Sequence, residues 1–96
     1  MTAKENALRH KEICDRLNKT YYEKNKDYGD SFGQSFEEFG LISAVVRMGD
    51  KYSRIKNLAY NQEIAVEDEA IKDTLLDLAN YCIMTVMEIE KREKDK

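Results

Sequence analysis

The stretch that decides the fold is residues 67–91, which read EDEAIKDTLLDLANYCIMTVMEIEK. Apolar side chains recur there at steps of three and four residues, namely Ile71, Leu75, Leu78, Cys82, Val86 and Ile89. This spacing places them on one face of a helix. An acidic row with the same kind of step runs beside them and consists of Glu69, Asp73 and Asp77, followed by Asn80. The stretch therefore predicts a long helix over about residues 67–92, whose carboxylates either hold a ligand or simply face solvent.

Two further helices are predicted upstream. The first covers about residues 3–24, where apolar side chains form a loose stripe among charged ones. The second covers about residues 35–60 and begins with the capping-box spacing of Ser35 and Glu38. It contains two glycines, each of which costs about 1 kcal/mol relative to alanine inside a helix. These are Gly40 and Gly49. A short connection over 61–66 would make the last two helices antiparallel neighbours.

Composition indicates one helical domain spanning residues 1–96. The chain is 42% hydrophobic and 36% charged and contains no proline, which is typical of a globular protein built from long helices. A chain of this size buries only a modest core, so we expect an all-α antiparallel bundle of three helices that self-association completes, as a homodimer or a higher homo-oligomer. The broad apolar arc of the last helix supports this expectation.

Charge and apolar patterning also limit the partners. The formal net charge of −3 disfavours nucleic acid, although a local basic patch stays open. No long apolar run is present, so we expect neither a signal peptide nor a membrane segment, and a cytoplasmic location. Cys14 and Cys82 lie on predicted apolar faces and are expected to be buried free thiols, with a disulfide or a metal pair as the alternative.

The segment 25–34, NKDYGDSFGQ, is predicted to be a loop because Asn, Asp, Gly and Ser cluster in it. Its aromatic rings, Tyr28 and Phe32, stand among charges that include Lys26. Rings in such a loop can clamp a flat ligand such as a base. The alternative is that they cover the end of a small core.

Polar residues three or four apart form one stripe on the second helix, made of Arg47, Asp50, Arg54 and Asn57. They could form surface ion pairs, or they could face the acidic row of the last helix. In the second case Asp50 would approach Asp73 and Asp77. Carboxylates from facing helices can build a site for Mg²⁺ or Mn²⁺, and Lys51 and Arg54 would then contact the phosphates of a nucleotide. A merely solvated acidic face is the alternative for that row.

Three blocks in this order resemble the nucleotide modification associated domain 1 family, small helical proteins of phage and bacterial genomes. The blocks are NKDYGDSF at 25–32, RMGDKYSRIKNL at 47–58 and EAIKDTLLDLANYCI at 69–83. The chain is also distantly similar to the all-alpha nucleoside triphosphate pyrophosphatases, the MazG and dimeric dUTPase group. That similarity implies Mg²⁺-dependent cleavage between the α and β phosphates by a dimer or tetramer. The chain departs from the pattern, because Arg47 and Asp50 stand where that group has two glutamates.

Residues and resemblance together predict a Mg²⁺-dependent nucleotide-binding protein of phage or bacterial nucleotide metabolism or modification, with pyrophosphohydrolase activity as an open question. The predicted metal ligands are Asp50, Asp73 and Asp77, and the candidate catalytic residues are Glu69 and Asp73. The predicted substrate-binding residues are Lys26, Tyr28, Phe32, Lys51, Arg54, Asn57 and Asn80. The alternative function is that of a non-catalytic helical module that binds another protein through its apolar faces.

Overall fold

The computed structural model describes residues 1–61 and 69–94, and these form four α-helices with no strand among them. The helices are α1 (Ala3–Tyr28), α2 (Ser31–Phe39), α3 (Leu41–Tyr60) and α4 (Glu69–Lys94). The all-α prediction is confirmed. Two compact units make up the chain, Met1–Asp30 and Ser31–Lys96. No helix in the described ranges is both long enough and apolar enough to span a membrane.

The first unit is α1, whose two ends are fixed by local signals. Thr2 and Glu5 form a capping box, in which the Thr2 hydroxyl accepts from the Glu5 backbone N–H at 3.1 Å and the Glu5 carboxylate accepts from that of Thr2 at 3.4 Å. The helix ends where the N–H of Gly29 donates to the carbonyl of Asn25 at 3.0 Å and Gly29 takes φ 71°. The predicted loop over 25–34 is therefore wrong, since only residues 29 and 30 interrupt the helices.

The second unit begins with two helices where one was predicted. Gly40 separates α2 from α3 with φ 77°, a backbone angle that disfavours any side chain. Its N–H donates to the carbonyl of Phe36 at 2.7 Å, and its own carbonyl accepts from the Ser43 hydroxyl at 2.8 Å. A single helix over 35–60 is thus wrong, and so is the predicted cap, because Ser35 lies inside α2.

The core of the second unit lies where α2, α3 and α4 meet. Phe32, Phe36 and Ala44 are buried, and the side chains packed on them are Met48, Tyr81 and Met84. Cross-helix bonds join residue 51 to residue 77 and residue 54 to residue 74. In these pairs the residue number increases along α3 while it decreases along α4, so the two helices are antiparallel, as predicted. The connection predicted for 61–66 lies outside the described residues, apart from Asn61, which caps α3.

An arginine near the C-terminal end of α4 contacts α2. Arg92 donates from Nη2 to the carbonyl of Phe36 at 3.0 Å, and its guanidinium carbon lies 4.7 Å from the centre of the Phe36 ring. A cation at the last carbonyls of a helix is favourable because the helix dipole is negative there. Arg92 therefore stabilises the end of α2 and covers the ring that forms the core.

The apolar row of α4 is not its most buried face. Thr74 and Thr85 are 3% and 7% exposed, whereas Leu75 and Val86 are 48% and 53% exposed. Each threonine donates its hydroxyl to the carbonyl four residues earlier, which satisfies the buried oxygen. Cys82 belongs to the outer row, so its predicted burial is wrong. Cys14 is also exposed, and both thiols are free.

Candidate phosphate-binding groove

A groove of about 360 Å³ runs along α3 and holds most of the polar stripe predicted there. Its lining residues are Arg47, Asp50, Lys51 and Arg54 from α3 and Tyr81 from α4. The four from α3 recur at steps of three, one and three residues, which puts them on one face of the helix. Three cations lie beside Asp50 in the lining, and Asp77 pairs with one of them, so the groove has an excess of one positive charge in a chain whose net charge is −3.

Two of these cations are held by α4. Lys51 Nζ lies 3.2 Å from Oδ2 of Asp77, and each of the two side chains is 29% exposed. Arg54 Nε donates to Oγ1 of Thr74 at 3.1 Å. The Thr74 hydroxyl donates to the carbonyl of Ala70 at 2.6 Å, so its oxygen is oriented to accept from Arg54. That bond uses one of the five N–H donors of the guanidinium, which can engage further acceptors.

The third cation, Arg47, lies at the aromatic end of the groove. Its Nη2 donates to Oγ of Ser35 at 3.2 Å, and its guanidinium carbon is 5.5 Å from the centre of the Phe32 ring. That ring stacks on Tyr81 with centroids 5.8 Å apart and planes inclined by 20°. Phe32 is 4% exposed, so its ring is part of the core and is not accessible to a base. This agrees with the alternative prediction that the rings of this segment cover the end of a small core.

The three predicted metal ligands are not gathered in one place. Asp50 lines the groove, Asp77 pairs with Lys51, and Asp73 is exposed on α4. In residues 1–61 and 69–94 no three His, Cys, Asp or Glu side chains are close enough to hold a metal ion. Mg²⁺ in nucleotide sites needs only one or two carboxylates, because phosphates and water complete its shell. The donor set therefore fits a Mg²⁺ ion carried by phosphates and does not fit a bare ion.

The remaining predicted residues are spread over both units. Lys51 and Arg54 share the groove, whereas Asn57 is exposed on α3 and Asn80 is half-buried on α4. Glu69 is the first residue of α4 and exposed, where the helix dipole favours an acid. Lys26 and Tyr28 belong to the last turn of α1, and their substrate role stays a prediction.

Three residues that shape the groove were not predicted as site residues. Arg47 carried a signal, because it begins the stripe that continues through Asp50 and Arg54. Tyr81 and Thr74 are seven residues apart, two helical turns, and so share one face of α4. That spacing could have identified both as residues that face α3. The apolar row beside them indicated instead that another face of α4 is buried.

One family of known proteins matches this chain. A family model described as nucleotide modification associated domain 1 matches residues 24–89, which is more than half of the chain and includes every residue that lines the groove. Neither the curated proteins nor the solved structures gave a match to the chain. The chain belongs to the nucleotide modification associated domain 1 family.

Proposed function

We propose that this family member binds the phosphates of a nucleotide in the α3 groove, as a Mg²⁺ complex. The observation that supports the proposal is the lining itself, in which Arg47, Lys51 and Arg54 lie beside Asp50 and an aromatic ring, with Asp77 as the second carboxylate next to Lys51. Guanidinium and ammonium groups are the side chains that bind phosphate most strongly. The family name supplies the nucleotide part of the proposal.

The cations are positioned before a ligand arrives, which reduces the entropy lost on binding. Ser35 holds Arg47 and Thr74 holds Arg54, both through hydroxyl oxygens, which carry no charge of their own. Lys51 differs because it is paired with Asp77. A phosphate would compete with Asp77 for this ammonium.

Asp50 lines the groove and is suited to hold Mg²⁺, and Asp77, which lies next to Lys51, is the second carboxylate of the proposed site. The bound ion would neutralise phosphate charge and polarise the phosphoryl group. The predicted catalytic pair, Glu69 and Asp73, is exposed on α4 and does not line the groove. We therefore propose nucleotide binding as the function. Pyrophosphohydrolase activity, which the similarity to the all-alpha pyrophosphatases implies, is measured separately in the same experiment.

Titration calorimetry and thermal shift with the ribo- and deoxyribonucleoside triphosphates, each with and without Mg²⁺, test the proposal. Release of pyrophosphate in the same samples tests hydrolysis. We expect micromolar binding of at least one triphosphate, and Arg54→Gln should weaken it at least tenfold, since a charged hydrogen bond contributes about 1.5–3 kcal/mol. The matched control is Lys56→Gln, which removes an exposed cation of α3 that does not line the groove.

The role of the metal is tested by Asp50→Asn. This change should weaken nucleotide binding when Mg²⁺ is present, because a metal ligand is lost. It should strengthen binding when Mg²⁺ is absent, because without the ion the Asp50 carboxylate of the wild type only repels phosphate. Failure of every triphosphate to bind or to stabilise the protein would refute the proposal. Equal losses in Arg54→Gln and Lys56→Gln would show that affinity comes from overall charge and not from the groove.

A second candidate, the non-catalytic interaction module, is favoured by apolar side chains that α4 exposes. Ile83 and Met87 are 48% and 45% exposed. In this case replacement of both Asp73 and Asp77 by asparagine leaves function intact, whereas a charge at Met87 abolishes binding of a protein partner. Pull-down with these two variants separates the candidates, because nucleotide binding depends on Asp77 and not on Met87.

A further inference from the structure

The outward face of α3 is apolar and lies away from the groove. Several large apolar side chains are exposed in residues 31–61 and 69–94, and where they adjoin one another they form a patch of the kind that marks an interaction surface. Those on the outward face of α3 are 47–63% exposed and recur at helical spacing, namely Leu41, Ile42, Val45, Val46 and Tyr52. A face of this kind normally packs against another surface.

Gly49 lies in the middle of that face, and no contact among the described residues explains it. A glycine inside a helix costs about 1 kcal/mol relative to alanine. Gly49 has no positive φ that would require it, and a Cβ placed there would meet nothing within 4 Å. Gly40 shows the contrast, because its φ of 77° accounts for the absent side chain. The described residues therefore leave space above Gly49 for the close approach of another helix.

We propose that the outward face of α3 is the contact between two copies of this chain, with the two α3 helices crossing at Gly49. Most homo-oligomers are two-fold symmetric, and such a contact must be self-complementary. A two-fold axis at Gly49 places Val46 of one copy against Tyr52 of the other, a small side chain against a large one. It also places Ile42 opposite Lys56, whose methylene stem covers an apolar surface while its charge stays in water.

The exposed area suits a reversible dimer. The apolar side chains of this face offer about 320 Å² to a partner, from their exposed fractions and whole side-chain areas of about 60–120 Å² for Val, Leu or Ile and about 150–250 Å² for Tyr. Since interfaces are about 60% apolar, each copy would bury about 550 Å². The total of about 1,100 Å² lies close to the lower limit of specific dimers. The inference is independent of nucleotide binding.

Sedimentation equilibrium of the full chain from 1 to 200 μM tests the proposal, with circular dichroism to verify folding. The wild type should dimerise, and Val45→Asp should be monomeric over the whole range. The matched control is Val86→Asp on α4, an equally drastic change at a side chain that is 53% exposed, close to the 47% of Val45. It should dimerise like the wild type.

Gly49→Ala is a second test of the dimer contact, and it introduces no charge into the interface. Its added methyl group should raise the midpoint of thermal unfolding of the monomer and weaken the dimer at least tenfold. A monomeric wild type at 200 μM overturns the proposal. So does a dimer that Val86→Asp disrupts and Val45→Asp does not, and so does a dimer that Gly49→Ala leaves as tight as before.

Discussion

Replacing Phe36 by alanine should remove a large part of the stability of the protein. The side chain is 2% exposed and packs in the only cluster of buried apolar residues that the described chain contains. Truncation of a buried phenylalanine costs about 3–5 kcal/mol, because transfer energy is lost and a cavity remains. Arg92 also loses the ring under its guanidinium, which is worth about 0.5–1 kcal/mol at an exposed site. We therefore expect a loss of about 4 kcal/mol.

This loss is large for a chain of 96 residues, whose free energy of unfolding should be about 5–14 kcal/mol. Urea unfolding followed by circular dichroism at 222 nm measures it, with the protein concentration held fixed because self-association would add stability. Phe39→Ala is the matched control, because Phe39 lies one turn later in α2 and is 63% exposed. It should lose about 1 kcal/mol or less. Similar losses in the two variants would refute the burial of Phe36 as the centre of the core.

Three further predictions concern the contacts around this core and can be measured by the same unfolding experiment. Arg92→Gln should lower the free energy of unfolding by about 1 kcal/mol, and a double-mutant cycle with Phe36→Leu should show coupling, whereas additive losses would mean that ring and guanidinium do not interact. Gly40→Ala should cost about 1–2 kcal/mol, since its φ of 77° is unfavourable for any residue with a Cβ, and an unchanged stability would contradict the break between α2 and α3. Thr74→Val should cost about 1 kcal/mol, because it removes the hydroxyl that accepts from Arg54, while Thr74→Ser, which keeps the hydroxyl, should cost less; equal losses would exclude that bond as the cause.

The helical class of the fold could be predicted because periodicity and the absence of proline are local properties. The break at Gly40 could not, since apolar residues continue at helical spacing on both sides of it. Gly40 and Gly49 gave the same signal in the sequence. One takes a positive φ and ends a helix, whereas the other stays helical. The difference depends on how α2 packs against α3, which is a non-local property.

The polar stripe of α3 was predicted correctly as one face, and Lys51 and Arg54 do lie in one groove. The acids of α4 could not be placed, because the rotation of α4 about its own axis decides which side chains meet α3. Periodicity indicated the apolar row as the buried face, and Thr74 is buried instead. A threonine that bonds its own helix satisfies its hydroxyl, so it can be buried without any warning in the composition.

The Arg92 contact has a consequence for the extent of the folding unit. The family match ends at residue 89, and the arginine that reaches back to the Phe36 carbonyl stands three residues later. The match also begins at residue 24, inside α1. Limits drawn from similarity therefore cut through both α1 and α4 and omit Arg92, which bonds the end of α2. A fragment made for crystallisation or NMR with those limits would contain every residue that lines the groove. It would still lose Arg92 and with it the hydrogen bond and the ring contact that stabilise the end of α2.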